Sequence, residues 1–259
     1  MYETARHRAW IRVLRRGGWT ALLLAALALP LGGAALGQNA IQTENALPGS
    51  PSSEWEVSGA GDASIQGFAT DISVDQGELI EFKIKTDATD YRIDIYRMGY
   101  YGGDGARYIT TVQPSVPLPQ SQPACDVDAT VQLIDCGGWG VSASWNVPVD
   151  ATSGIDMAKM DREEPEDGRA SHIVFIVRDD DGGSDLLFQT SDTTWQAYNR
   201  YGEGDLIGGN ILYTGPGGKA EKVSYNRPFT TRLAPSEDWV FNAEYPMVRW
   251  LERNGYDVS

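Results

Sequence analysis

The sequence reads as mainly β: an N-terminal immunoglobulin-like β-sandwich followed by the start of an incomplete α/β domain. Three observations predict this. Short alternations of apolar and polar residues recur between Leu79 and Val177, with Gly, Pro, Asn and Asp clusters between them. This is the period-2 pattern of strands with one wet face. No helical period interrupts the run, as a sandwich requires. Beyond Asp181 the pattern changes to strand, helix, strand, which opens an α/β layer. The predicted organisation is a signal peptide over 1–37, the sandwich over 38–181, and the N-terminal part of a truncated α/β domain over 182–259.

Arg6, Arg8, Arg12, Arg15 and Arg16 come first, then an apolar run from Ala21 to Leu29, then the small residues Gly32 to Gly37. Basic, apolar, small is the order of a secretory signal, with cleavage after Gly37. The run is short of the ~20 residues that span a bilayer. The pair Arg15-Arg16 also suits a twin-arginine signal. Residues 38 to 64 are rich in Gly, Ser, Pro and Asn and read as an extended lead-in. Regular alternation starts at Leu79, where Ile80, Phe82 and Ile84 oppose Glu81, Lys83 and Lys85. Tyr91, Ile93 and Ile95 then oppose Arg92 and Asp94, the glycines of 102–105 turn the chain, and Ala106 to Val112 returns. After a Pro-rich bend from Pro114 to Pro123 come strands at Val131–Ile134, Ser142–Val147 and Ile155–Met160. Ile173 to Val177 is apolar throughout, so both its faces should be buried.

Asp179 to Gly183 forms a polar hinge. Leu186 to Gln189 reads as a strand. Pro246 stands where proline is favoured, at the first turn of a helix whose apolar face is Met247, Val248, Trp250 and Leu251 and which Gly255 ends. Tyr256 to Ser259 reads as the next strand. One such unit cannot cover both faces of a parallel sheet, so the chain is expected to be a fragment.

Loss of 1–37 would remove five arginines and one glutamate, deepening the net charge from −15 to −19. Such a surface repels nucleic acid and anionic lipid. One histidine, His172, would remain, which excludes histidine-cluster chemistry and leaves a buried structural role. Cys125 and Cys136 stand in an exported chain with ten residues between them and are expected to form a disulfide. Gly215 to Ala220 lacks the glycine spacing and the hydroxyl residue of a phosphate loop, and no G-x-S-x-G elbow exists. The acidic residues of 179–185 lack calcium-loop order and read as a solvated linker. The informative segment is Thr193 to Gly202 with Val223 to Pro228, dense in aromatics and amides after a strand.

Five blocks carry a resemblance: Val57–Asp62, Ile65–Asp71, Tyr91–Gly103, Asp192–Asn199 and Trp250–Val258. On these blocks the chain resembles proteins grouped with the N,N-dimethylformamidase large (beta) subunit. The resemblance implies an amidase-like α/β part and a mononuclear iron, held by two tyrosinates and a glutamate, that activates water to cleave an amide C–N bond. A trivalent ion favours the phenolate, making tyrosine a hard anionic ligand. Position by position, Tyr198 matches the first tyrosine and Tyr225 the second, with Tyr245 a rival. The glutamate would lie in a His-x-Glu segment after Ser259, leaving the fragment inactive by itself.

The export signal and the resemblance together imply an exported amidohydrolase, secreted or held in the periplasm or cell envelope. The alternative is a secreted, non-catalytic module whose Trp55, Trp139, Trp145, Trp195, Trp239 and Trp250 stack on carbohydrate or surface polymer. The expected partner is a small-molecule amide or such a polymer, with no nucleic acid and no stable membrane span after signal cleavage. An oligomer is compatible with either reading.

Overall fold

The computed structural model describes residues 37–57, 59, 61–202, 211–214, 218–229 and 240–259. The predicted signal peptide, the turn at 215–217 and Trp239 lie outside these residues. In chain order the described elements are α1 (Ala40–Asn45), α2 (Ser52–Trp55), β1 (Ile65–Ala69), β2 (Ser73–Asp75), β3 (Leu79–Thr86) and β4 (Asp90–Met98). A 3-10 turn (Tyr101–Gly103) leads to β5 (Ala106–Val112), β6 (Asp126–Asp128), β7 (Leu133–Asp135), β8 (Ala143–Asn146), β9 (Gly154–Glu164) and β10 (Ala170–Arg178). Three helices follow: α3 (Asp192–Tyr198), α4 (Val240–Ala243) and α5 (Tyr245–Arg253). No described helix is long and apolar enough to cross a membrane.

The strands form a sandwich. A three-stranded sheet orders β1-β3-β8 and a five-stranded sheet orders β2-β10-β9-β4-β5, antiparallel except where β2 runs parallel to β10. The alternation drives this. Ile80, Phe82 and Ile84 of β3 meet Tyr91, Ile93 and Ile95 of β4 and Ile173, Phe175 and Val177 of β10 in one core between the sheets. Each such side chain contributes about 1.5–3 kcal/mol on burial.

The other face of the five-stranded sheet is also covered. Tyr96, Met98, Met157 and Val174 pack with Trp55 of α2, Trp195 of α3, Val240 of α4 and Tyr245 and Val248 of α5. Both parities of β10 are thus buried, which is why its sequence is apolar without alternation. Gln38–Ser259 forms one compact unit built in three layers, sheet, sheet and helices.

The lead-in departs from the extended reading. Asn39 caps α1 through its side chain, which accepts from the amide of Gln42, while Gln42 reaches back to the amide of Asn39. This capping box satisfies two helix-end donors, and Ile41 is buried beneath it. Leu186–Gln189 and Tyr256–Ser259 form only a bridge, Leu186 to Val258, but it is parallel. Phe188 donates its amide to the Ser259 carbonyl at 2.7 Å.

A buried ion pair ties α5 to the sandwich. Arg97 and Glu252 are each 2% exposed. Arg97 donates Nη2 to Glu252 Oε1 at 2.8 Å and Nη1 to Oε2 at 3.3 Å. Its other donors go to the carbonyls of Ser153 at 2.8 Å and Thr152 at 3.3 Å and to the Tyr101 hydroxyl at 3.0 Å. Asn45 Nδ2 donates to Glu252 Oε2 at 2.9 Å. Tyr101 in turn donates to Glu44 at 2.7 Å, and Glu44 receives Arg107 Nε at 2.7 Å.

Candidate functional site

Helix α3 begins where Asp192 can favour the helix N-terminus. Its inner face is locked. Trp195 is fully buried and donates Nε1 to Glu244 Oε2 at 2.9 Å, while Glu244 Oε1 accepts the Ser191 amide at 2.9 Å and the Ser191 hydroxyl. A buried carboxylate filled by three donors costs little to desolvate and clamps α3 to α5. At the other end, Asn199 donates to the Pro228 carbonyl at 2.9 Å. Arg227 is buried with no carboxylate paired to it among the described residues; it donates to the carbonyls of Gln196 at 2.8 Å and Ser224 at 3.1 Å. Burial alone lowers the Arg227 guanidinium to about 10, which leaves it charged at neutral pH. A cation against the Gln196 carbonyl suits the C-terminal end of a helix.

This framework leaves two phenols toward the surface. Tyr198 is half-buried and stacks on Tyr213, with ring centroids 4.7 Å apart. Tyr225 is 39% exposed and donates its hydroxyl to Asp192 Oδ2 at 2.5 Å. Burial, then the Asp192 hydrogen bond and charge, raise the Tyr225 phenol above its usual range. Tyr225 therefore serves Asp192 as a donor. Tyr198 and Asp192 stand at opposite ends of α3, about 9 Å apart along its axis at 1.5 Å per residue. The two tyrosines thus flank one helix and are held by different partners. The rival Tyr245 is buried, donates to the Gly105 carbonyl at 2.7 Å and packs edge-on against Trp55, a structural role.

The loop carrying Tyr225 is braced by the disulfide. Cys125 and Cys136 are bonded and close the hairpin of β6 and β7. From that hairpin, Asp135 Oδ2 accepts the Ser224 hydroxyl at 2.5 Å, and the Cys136 amide donates to the Asn226 carbonyl at 2.6 Å. Tyr201 and Trp139 pack on the cystine. On the other side, Asp192 reaches a cavity of about 520 Å³ walled by Ile72, Ile176, Leu186 and Phe188, with Arg178 and Glu252 among its polar lining. That volume suits a small molecule.

A family model described as "N,N-dimethylformamidase beta subunit-like, C-terminal" matches residues 92–259. The chain belongs to this family. The match takes in the locked α3, the Tyr225 loop and both halves of the Arg97–Glu252 pair. No curated protein matches the chain. Among solved structures, domain 1 of VCBP3 from Branchiostoma floridae is 7% identical with a TM-score of 0.27, covering 46% of this chain and 98% of that one. The cellulose-active LPMO CelS2 in complex with copper is 18% identical with a TM-score of 0.25, covering 43% of this chain and 53% of that one. Neither likeness bears on fold or function.

The dimethylformamidase-like resemblance implies iron, and phenol oxygen is the right kind of donor for a hard trivalent ion. Among the described residues, no group of three His, Cys, Asp or Glu side chains could hold a metal. Tyr198 and Tyr225 alone do not complete a centre. His172 is structural: its Nε2 donates to the Trp55 carbonyl at 2.7 Å. The tryptophans of the sandwich do not form a stacking platform, because Trp55, Trp139, Trp145 and Trp195 are all buried; Trp250, on α5, is 51% exposed. What sequence reading missed are the residues that position the site: Glu244, Arg227 and Asp192. Arg227 and Asp192 stood inside quoted segments, but nothing local marks a carboxylate 49 residues from its tryptophan.

Proposed function

We propose that the chain is an exported, dimethylformamidase-like hydrolase of small-molecule amide C–N bonds, with Tyr198 and Tyr225 as phenolate donors to a metal completed by residues outside those described. The observation that carries this reading is the construction around α3. Three buried polar side chains, Asn199, Arg227 and Glu244, hold a helix and a loop that each present a phenol, inside the segment matched to the family. When bound, a trivalent ion supplies Lewis acidity. The chain's own contribution is positioning: Asp192 holds the Tyr225 hydroxyl and its proton, and the adjoining cavity admits a small substrate. Export by the general secretory or twin-arginine route accords with the basic and apolar order of residues 1–37 and with the disulfide.

The test is direct. The purified protein is assayed for iron, for a visible tyrosinate-to-iron band and for amine release from small amides. Tyr198→Phe and Tyr225→Phe should each weaken the band and the activity. An iron-free, colourless protein whose behaviour neither substitution changes would overturn the reading.

A further inference from the structure

A second cavity, of about 280 Å³, lies away from α3 and is lined by Glu44, Arg97, Arg107, Asp150, Thr152 and Asp156, with Trp145, Ile109 and Pro148 as apolar wall. Asp156 of β9 stands directly across the ladder from Arg97 of β4. Opposite charges so placed normally pair. Here they do not, because Arg97 spends its guanidinium on Glu252, Tyr101 and three backbone carbonyls. Arg107 is likewise committed to Glu44, at 2.6 Å from Nη2. Asp156 is 3% exposed, and its Oδ2 has no hydrogen-bond partner among the described residues.

The two arginines of the cavity are thus matched, Arg97 by Glu252 and Arg107 by Glu44; of the two aspartates left over, Asp150 is exposed to solvent and Asp156 is buried. A buried carboxylate without a partner is costly. We propose that this cavity binds one small primary alkylammonium ion, its N–H groups donating to Asp156 and its alkyl part lying on Trp145, Ile109 and Pro148. An inorganic cation would meet the carboxylate equally well but leave the apolar wall unused. An aromatic ring beside a cation adds attraction.

The empty cavity has a second way to meet the cost, which is to keep the proton. Burial pushes the Asp156 carboxyl up to about 8, against the lowering influence of Arg97 and Arg107 and with Glu44 and Glu252 adding to the rise. Its folded value lies above its unfolded one, so protonation stabilises the fold at low pH. That contribution is full below about pH 4 and is lost as pH rises through about 8. Proton and ammonium then compete for one carboxyl, and ammonium affinity should climb with pH until that value is passed.

The probes are ethylammonium, potassium and tetramethylammonium chlorides, compared with sodium chloride at equal ionic strength. Ethylammonium should raise the melting temperature at pH 8.5 more than at pH 5.5, by an amount that grows with its concentration. Potassium and tetramethylammonium, the second lacking an N–H donor, should match sodium. Calorimetry near pH 7 in buffers of different ionisation heat should show close to one proton released per ethylammonium bound. In Asp156→Asn the ethylammonium affinity should fall at least tenfold. Equal shifts with all four salts overturn the proposal, as does binding without proton release, a measurement on the unaltered protein that holds even if the variant does not fold. A potassium shift as large as that of ethylammonium overturns the organic assignment.

Discussion

Replacing Glu252 with leucine tests whether the two halves of the molecule are joined by the pair it makes with Arg97. Both side chains are 2% exposed, so removing the carboxylate leaves a guanidinium in the interior facing only neutral acceptors. Breaking a buried pair from one side costs about 3–5 kcal/mol. The structure says where in that range the value should fall. Arg97 would keep the Ser153 and Thr152 carbonyls and the Tyr101 hydroxyl. It would also gain access to Asp156, directly opposite on β9. Glu252→Leu alone should therefore cost nearer 3 kcal/mol, and Glu252→Leu with Asp156→Asn nearer 5 kcal/mol. Arg97→Met, which strands Glu252 with Asn45 as its remaining donor, should be as costly as either. The double variant Arg97→Met/Glu252→Leu buries no unpaired charge and should lose less than the two singles added together. Urea unfolding of the four variants gives the coupling through a double-mutant cycle. Single variants costing under about 1 kcal/mol, or a strictly additive double, would show that the pair does not hold the layers together.

Two further outcomes follow from the geometry of the site. Replacing both cysteines with serine should cost about 3 kcal/mol by the chain-entropy account of a loop this size, and hydrogen exchange should speed up across 222–228, because Asp135 and Cys136 hold Ser224 and Asn226; unchanged exchange there would mean that the hairpin does not brace the Tyr225 loop. Tyr245→Phe removes one of the two donors to the buried Gly105 carbonyl, which keeps the Gly99 amide, and should cost about 0.5–1.5 kcal/mol without altering iron content or the visible band, whereas Tyr198→Phe should do the reverse.

The strands were legible where one face was wet. β3, β4 and β5 lie where alternation and the glycines of 102–105 put them, and β9 and β10 extend their predicted cores at both ends. Shorter strands were less so: β1 has Gly67 inside it, and β2 is three residues long, so neither carries a full period. The Asn39–Gln42 capping box was readable, but composition masked it. The layer of helices over the second face of the sheet has no signature in the strands except the unbroken apolar run of Ile173 to Val177. The blocks Tyr91–Gly103 and Trp250–Val258 were recognisable as family marks, yet their connection was not. Arg97 and Glu252 lie 155 residues apart, and a pairing at that distance is a property of the fold rather than of any local pattern. Tyr198 and Tyr225 stand out in the sequence only through the resemblance; their separate partners, Tyr213 and Asp192, are set by the fold.

The sheet covered on both sides also has a meaning for how the chain comes into being. All ten described strands are complete by Arg178, but the helix that seals the outer face is not finished until about seventy-five residues later. At 5–20 residues per second, a ribosome needs roughly 4–15 s to supply them. During that interval Tyr96, Met98, Met157 and Val174 have only Trp55 of α2, and later Trp195 of α3, to cover them. The order of synthesis thus creates a window of stickiness, and whatever keeps the nascent chain apart from its neighbours must act before α5 arrives.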